Sequence, residues 1–324
     1  MDKHIIFHVE GGIGKNIIAT AVAEAITKAH PDRKLIVVSS WAATWVNNPH
    51  IERFYLIGGT PYFFEDYIKN KDTWIFKSEP YHHHDFLNGR RYLADIWCEQ
   101  LGVPYNKEIP TIILSKNEKD NMARRLGGFG KPIFALQTNG GGPQDYPISW
   151  VRDVPISNIQ EILQQVDKEY KIIHIRREDQ LQIPGIDFLQ TPNVRDLFAL
   201  IDYSHNRLLI DSFAQHAAVA LDRPSTVLWP IDNVNTLGYP DFHNNIISNA
   251  DTRKVHLIDS YLGANPINGE LLHECPFDND NIFEQQPILN SLSELEEKEF
   301  YKPPVPPAIV KKQPNRQKPR KRKK

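Results

Sequence analysis

A chain of 324 residues is long for one compact core and comfortable for two domains of about 150 residues each. Its 40% apolar and 24% charged residues are those of an ordinary globular protein, no run approaches the ~18 apolar residues of a membrane span, and two cysteines, Cys98 and Cys275, exclude a disulfide framework. The net charge of −2 hides an asymmetry: residues 302–324 hold ten Lys/Arg and no Asp/Glu, leaving 28 basic against 40 acidic residues, or −12, in the first 301.

Met1 to His4 lead into Ile5–Phe7, too short a run for a secretory leader, so a reducing cytoplasm is the expected setting. Ile5–Val9 reads as a strand, and Asn16–Ala29 as a helix with Ile17, Ile18, Ala21, Val22, Ala25 and Ile26 on one face. Leu35–Val38 and Phe54–Ile57 read as the next strands of a right-handed parallel unit. Phe86–Leu101 has helical spacing, Thr111–Leu114 a short strand pattern, and Lys116–Leu126 that of a charged helix. "GGFGKP" (127–132) breaks the chain, and the alternation restarts: strand Ile133–Gln137, a glycine loop, helix Ser157–Asp167 with Ser157 as N-cap, and strand Lys171–Ile175. Helix Asp196–Ile201, strand Leu208–Ile210, helix Ser212–Leu221 and strand Thr226–Leu228 follow. Two βα arrays divided by a Gly/Pro break predict two doubly wound α/β domains, 1–126 and 127–300, with ligands at the carboxyl ends of the strands and a cleft between. Residues 301–324 read as a disordered Pro/Lys/Arg-rich tail.

The first glycine loop, "HVEGGIGKNIIAT" (8–20), invites comparison with phosphate-binding loops. The strict pattern G-x-x-x-x-G-K-[ST] fails at Val9 and Asn16. The deviant loop of ParA-like nucleotide switches fits Gly11, Gly12, Gly14 and Lys15, yet Glu10 stands where that loop carries a lysine and Asn16 where it carries a magnesium-holding hydroxyl. Glu10 would turn a negative charge toward a triphosphate. The segment "LLIDSFAQHAAVALDRPSTVLWPID" (208–232) says more: a strand ends at Asp211-Ser212, and a helix rich in alanine begins with His216 one turn in, a ready anion site.

This stretch resembles the heptosyltransferase family, glycosyltransferase family 9, whose hallmark reads D-[ST]-G-x-x-H-x-A-A-A-L-x-x-P. Asp211, Ser212, His216, Ala218, Ala220, Leu221 and Pro224 match, while Phe213 replaces the glycine and Val219 one alanine. Residues 13–38, 48–58, 83–103, "LQTNGGG" (136–142) with "SW" (149–150), and "ECPFDNDNIFEQQPILNSL" (274–292) resemble further family segments in the right order. The resemblance implies a GT-B fold, with an acceptor-side first domain and a second domain that binds a nucleotide-activated sugar. It implies transfer to an acceptor hydroxyl with inversion, with protein donors rather than a metal stabilising the leaving diphosphate. Thr138, Asn139, Gly140 and Gly141, the amides from Ser212 through Phe213 to Ala214, and His216 would be those donors, Arg152 or Arg176 would add positive charge, and Asp211 would orient the loop. The family's base, an aspartate after the loop's last glycine, is Lys15 here, so Glu10 is the first substitute, with His8, His84 and Asp85 behind it. Gly11, Gly12, Gly14 and Lys15 would form the acceptor-side loop.

"HHHD" (82–85) suggests a metal, but adjacent histidines cannot all face one ion, and solvent or acceptor contact is expected. Trp150 and Trp229 are the tryptophans expected to wall a ligand. The tail from Lys311 to Lys324 suits an anionic acceptor, either a lipopolysaccharide-type glycolipid or nucleic acid, or an anionic surface. A nucleotide switch or a catalytically inactive nucleotide-sugar-binding protein is the alternative.

Overall fold

The computed structural model describes residues 2–140, 152–191, 193–231, 233–250 and 281–297. In chain order it contains β1 (Lys3–Val9), α1 (Ile13–Ala29), β2 (Lys34–Ser39), β3 (Arg53–Leu56), α2 (Phe63–Tyr67), β4 (Asp72–Phe76), α3 (His84–Leu87), α4 (Leu93–Leu101) and α5 (Lys116–Leu126). The second half contains β5 (Ile133–Leu136), α6 (Ile156–Glu169), β6 (Lys171–His174), β7 (Asp187–Phe188), α7 (Val194–Tyr203), β8 (Asn206–Ile210), α8 (Phe213–Ala220), β9 (Thr226–Trp229), α9 (Val234–Leu237), β10 (Asn244–Ile247) and α10 (Gln285–Glu297).

The strands form two parallel sheets, ordered β3-β2-β1-β4 and β10-β9-β8-β5-β6-β7. Continuous apolar strands such as IFAL in β5 are buried on both faces, which is what helices on either side of a parallel sheet require. Ile6, Ile36 and Val38 fill one face of the first sheet with Tyr67, while Ile5 and Phe7 point to the other. Behind the second sheet, Phe134, Leu136, Leu208 and Ile210 meet Ile159 and Ile162 of α6 and Ile288 of α10. Its front face shares one apolar core with α1 and α4 of the first half, because Ala214, Ala217 and Ala218 of α8 let that helix lie close to α1.

Several local expectations shift. The predicted helix over 86–101 is two helices, since the chain turns at Gly89 (φ +66) and restarts at Leu93. Thr111–Leu114 joins neither sheet; Ile112 N–H instead reaches the Ala220 carbonyl at the end of α8 (3.4 Å). Ser157 lies inside α6, whose N-cap is Pro155 with no side-chain hydrogen bond. The edge strands β4, β7 and β10 carry too little periodicity to be read from sequence.

Candidate active site

Strand β8 delivers Asp211 and Ser212 to the carboxyl edge of the second sheet. Asp211 is buried and accepts from the Gln215 amide (3.0 Å), which also donates to the Leu237 carbonyl (3.1 Å), so Asp211 orients the turn. Ser212 is the N-cap of α8 but makes no capping bond; its hydroxyl accepts from the Gln137 amide (3.2 Å). The helix therefore opens with the Phe213 and Ala214 amides uncapped, the arrangement that attracts an anion. The Phe213 ring lies 6.4 Å from that of Phe198 and packs on the shared core. His216 is buried, with Nδ1 3.0 Å from the Tyr239 hydroxyl. Burial pushes its pKa down to about 4, so the ring is neutral at pH 7; when Tyr239 donates to Nδ1, Nε2–H is a donor.

The opening loop meets this helix start directly. A Cβ on Gly14 would sit 3.0 Å from His216 Cδ2 and 3.6 Å from Phe213 Cα, so only glycine lets the two helix N-termini come this close. α1 begins after Gly12, again without a side-chain cap. Neither Lys15 nor Asn16, the side chains a phosphate loop would use, is oriented for ATP. Lys15 is buried, its ammonium bound to both Glu79 oxygens (2.8 and 2.6 Å) and 5.2 Å from the centroids of Tyr81 and Trp97. Asn16 is buried too, donating to the Gly12 carbonyl (2.9 Å) and accepting from the Ser39 hydroxyl (2.5 Å). Nothing in the sequence signals Glu79, which is 64 residues from its partner.

Glu10 and His8 lie at the outer side of the same loop. Glu10 is half exposed and bonded to Lys77 (2.8 Å), with His8 Nδ1 at 3.5 Å. The Lys77 hydrogen bond and charge hold the Glu10 carboxyl below its ordinary value. Burial lowers His8, and Lys77 lowers it further.

The loop after β5 brings Thr138, Asn139 and Gly140 beside Ser212, with several of their donors engaged within the loop. The Thr138 hydroxyl donates to Asn139 (2.9 Å), with His174 Nε2 also 2.9 Å away; the Asn139 amide and Gly140 N–H both go to Asp153 (3.1 and 2.7 Å). Arg152 lies across Gly140, where a Cβ would stand 2.2 Å from its Cδ. Gly141 and Trp150 lie outside the described residues. Arg176 is turned back on its own loop, donating to the carbonyls of Arg177 (2.9 Å) and Gln180 (2.5 Å), and stacks on Phe188 (4.2 Å). Gln180 in turn donates to the Gly140 carbonyl (2.5 Å). Beyond this loop opens a cavity of about 720 Å³ lined by Arg176, Glu178, Asp179, Phe188, Gln190 and Leu197, which the sequence did not reveal.

Trp229 does not wall a ligand: it is fully buried, and its indole N–H goes to Asn245 (2.7 Å). His83, His84 and Asp85 do bring one ligating atom each within 4.8 Å of one another, closer than their adjacency suggested. These groups are engaged, however: His83 Nδ1 caps α3 by accepting from Asp85 N–H, and Arg91 (3.3 Å) and His84 (3.1 Å) hold the Asp85 carboxylate.

No family model matches the sequence, and no curated protein does. Solved structures do. The glycosyl transferase family 9 protein from Veillonella parvula DSM 2008 superposes with a TM-score of 0.63, covering 91% of this chain and 97% of that one at 13% identity. The E. coli ADP-heptose LPS heptosyltransferase II gives 0.61, covering 90% and 98%, also at 13% identity. The iron-containing dodecameric glycosyltransferase TibC of enterotoxigenic E. coli H10407 gives 0.51 at 15% identity, over 70% of this chain and 58% of that one. The chain has the family 9 glycosyltransferase fold. In this GT-B arrangement, the abutting N-termini of α1 and α8 lie at the junction of the two halves, the place the strand topology reserves for ligands. Among the described residues, no helix is long and apolar enough to cross a membrane.

Proposed function

We propose that the protein is a glycosyltransferase that moves a sugar from a nucleoside diphosphate sugar to an acceptor hydroxyl with inversion. The observation that carries this reading is the meeting of two uncapped helix N-termini across Gly14 and His216, within a fold shared with family 9 structures. The leaving diphosphate takes the Phe213 and Ala214 amides and His216 Nε2–H, with Arg152 nearby to add charge. These groups stabilise the charge that develops as the anomeric bond breaks. The nucleoside lies in the cavity beyond Arg176, and the adenosine diphosphate donor named for the E. coli heptosyltransferase makes ADP the first ligand to try. Residues 1–126 form the acceptor side and 127–300 the donor side. A carboxylate at the carboxyl edge of the first sheet takes the acceptor proton, Glu10 and Glu79 both being there.

The acceptor is anionic, a lipopolysaccharide-type glycolipid or a nucleic acid, gathered by the basic tail from Lys311 to Lys324. A ParA-like switch is disfavoured by the engagement of Lys15 and Asn16.

Thermal unfolding against ADP, UDP, GDP, CDP, dTDP and ATP, each with magnesium and with chelator, tests the reading. A ligand at 100 times its dissociation constant adds ~2.7 kcal/mol. At about 2–4 °C per kcal/mol, one nucleoside diphosphate should raise the midpoint by about 5–11 °C with or without magnesium. A shift only with ATP and magnesium would favour the nucleotide switch instead.

A further inference from the structure

Resting on that transferase reading, we infer that Glu79 is the general base and that Lys15 is the residue that positions it. Glu79 follows β4, which pairs with β1, so its carboxylate stands at the same sheet edge as the opening loop. It is tied to the centre of the site: Lys15, which holds it, adjoins Gly14, the residue in contact with His216 and Phe213.

The arrangement is costly for a surface ornament. An ammonium ion in the first turn of α1 opposes the positive end of the helix dipole, and its burial removes it from water. Glu79 compensates with two short hydrogen bonds, and the Tyr81 and Trp97 faces add cation–π contact. The result is a carboxylate fixed in place yet 40% exposed. Its Oε1 takes Lys15 and the Tyr81 N–H (3.4 Å), while among the described residues Oε2 takes only Lys15, which leaves a lone pair of Oε2 for an acceptor hydroxyl. Glu10 is the mirror case. Its side chain is 54% exposed and its partner, Lys77, 57% exposed, a solvated surface pair with little hold on geometry.

In the step itself the acceptor oxygen bonds to the anomeric carbon of the nucleoside diphosphate sugar as its proton passes to Glu79 Oε2. The bond from that carbon to the β-phosphate oxygen breaks, and its electron pair leaves with the nucleoside diphosphate. Water in place of the acceptor gives free sugar, nucleoside diphosphate and a proton by the same route.

The test uses the full chain with a panel of ADP-, UDP-, GDP- and dTDP-sugars and follows release of nucleoside diphosphate with water as acceptor. The variants are Glu79→Gln, Glu79→Asp, Glu10→Gln and the double variant Lys15→Met/Glu79→Gln, with nucleoside diphosphate affinity and thermal midpoint measured on each. Glu79→Asp keeps the charge Lys15 needs but withdraws the carboxylate by one methylene; the double variant removes both charges, so neither leaves a buried cation alone. The inference expects turnover to fall about 100-fold or more in Glu79→Gln and in the double variant, with nucleoside diphosphate affinity kept within threefold. Glu79→Asp should retain the wild-type midpoint and still lose turnover. Turnover of the double variant within threefold of wild type overturns the inference, as does loss confined to Glu10→Gln, and both leave the transferase reading standing. Absence of release from every donor by the wild-type chain overturns the transferase reading, and the inference with it.

Discussion

Three buried histidines make the stability of this protein depend on pH, and the size of the effect follows from their surroundings. Burial lowers His174 and His216 to about 4 and His243 to about 3, against an ordinary value of about 6.5. Burial is the main cause in each: His243 accepts the Ser225 N–H at Nδ1 (3.1 Å), and the Gln215 carbonyl 3.1 Å from Nε2 raises it only in part against burial. His216 also faces the Asp211 carboxylate, which raises it, and Arg152, which lowers it. Between pH 6.5 and about 4 the unfolded chain binds protons that the folded chain refuses, so stability is full above pH 6.5 and is lost as pH falls. At pH 5.5 each histidine should cost about 1.3 kcal/mol relative to pH 7.5, or about 4 kcal/mol for the three. Urea denaturation at pH 7.5, 6.5 and 5.5 measures this, and Glu118, lowered to about 2 by Arg195, does not titrate in that window. His4, His8 and His205 are lowered by burial as well and add to the total; His216→Gln removes one titrating ring from the candidate site, and its pH-dependent loss should shrink by about 1.3 kcal/mol whatever its stability at pH 7.5. If His216→Gln loses as much between pH 7.5 and 5.5 as the wild type does, His216 is not a buried neutral ring, and its role as an Nε2–H donor falls too.

Other outcomes test the junction and the tail. Gly14→Leu should force α1 and α8 apart at His216, costing about 1–3 kcal/mol in urea and abolishing any nucleoside diphosphate shift; an unchanged shift would mean the helix starts do not form the site. Arg195, buried on α7, binds Glu118 of α5 and the carbonyls of Ala43 (2.7 Å) and Ile113 (2.6 Å), so Arg195→Ala should cost about 2–4 kcal/mol, read by the same titration. Removing residues 302–324 should weaken binding to anionic vesicles or to DNA and flatten its salt dependence, measured by fluorescence anisotropy or sedimentation; identical salt slopes would dissociate the tail from the acceptor.

Periodic burial is what made most of the fold legible. Ile17, Ile18, Val22, Ala25 and Ile26 face the core as their spacing required, and the apolar runs of β1, β2, β5, β8 and β9 are the central strands of their sheets. Legibility fails where a partner distant in sequence sets the conformation. Thr111–Leu114 has a strand's composition but joins neither sheet and lies against the end of α8 instead. Edge strand β4 buries none of its residues fully and so alternates weakly, and α1 starts three residues before the predicted helix, taking in Gly14, a poor helix former whose lack of a side chain the contact with His216 requires.

The candidate site divides along the same line. Asp211, Ser212 and His216 are local: eight consecutive helical residues behind a strand place them, and their pattern in sequence is sufficient. Lys15 is the opposite case. Its neighbours in sequence place it in a glycine loop, where a lysine reads as a phosphate ligand, but its charge is settled by Glu79 in the turn after β4 and its packing by Trp97 on another helix. A buried cation demands a counter-charge, and that demand, not any motif, singles out Glu79. Residues whose chemistry depends on a long-range ion pair are thus the ones that a one-dimensional pattern misassigns. The same reasoning makes Lys15→Met informative by itself: it should free Glu79 from its geometry and lower turnover, while leaving the α8 end of the site intact for nucleotide.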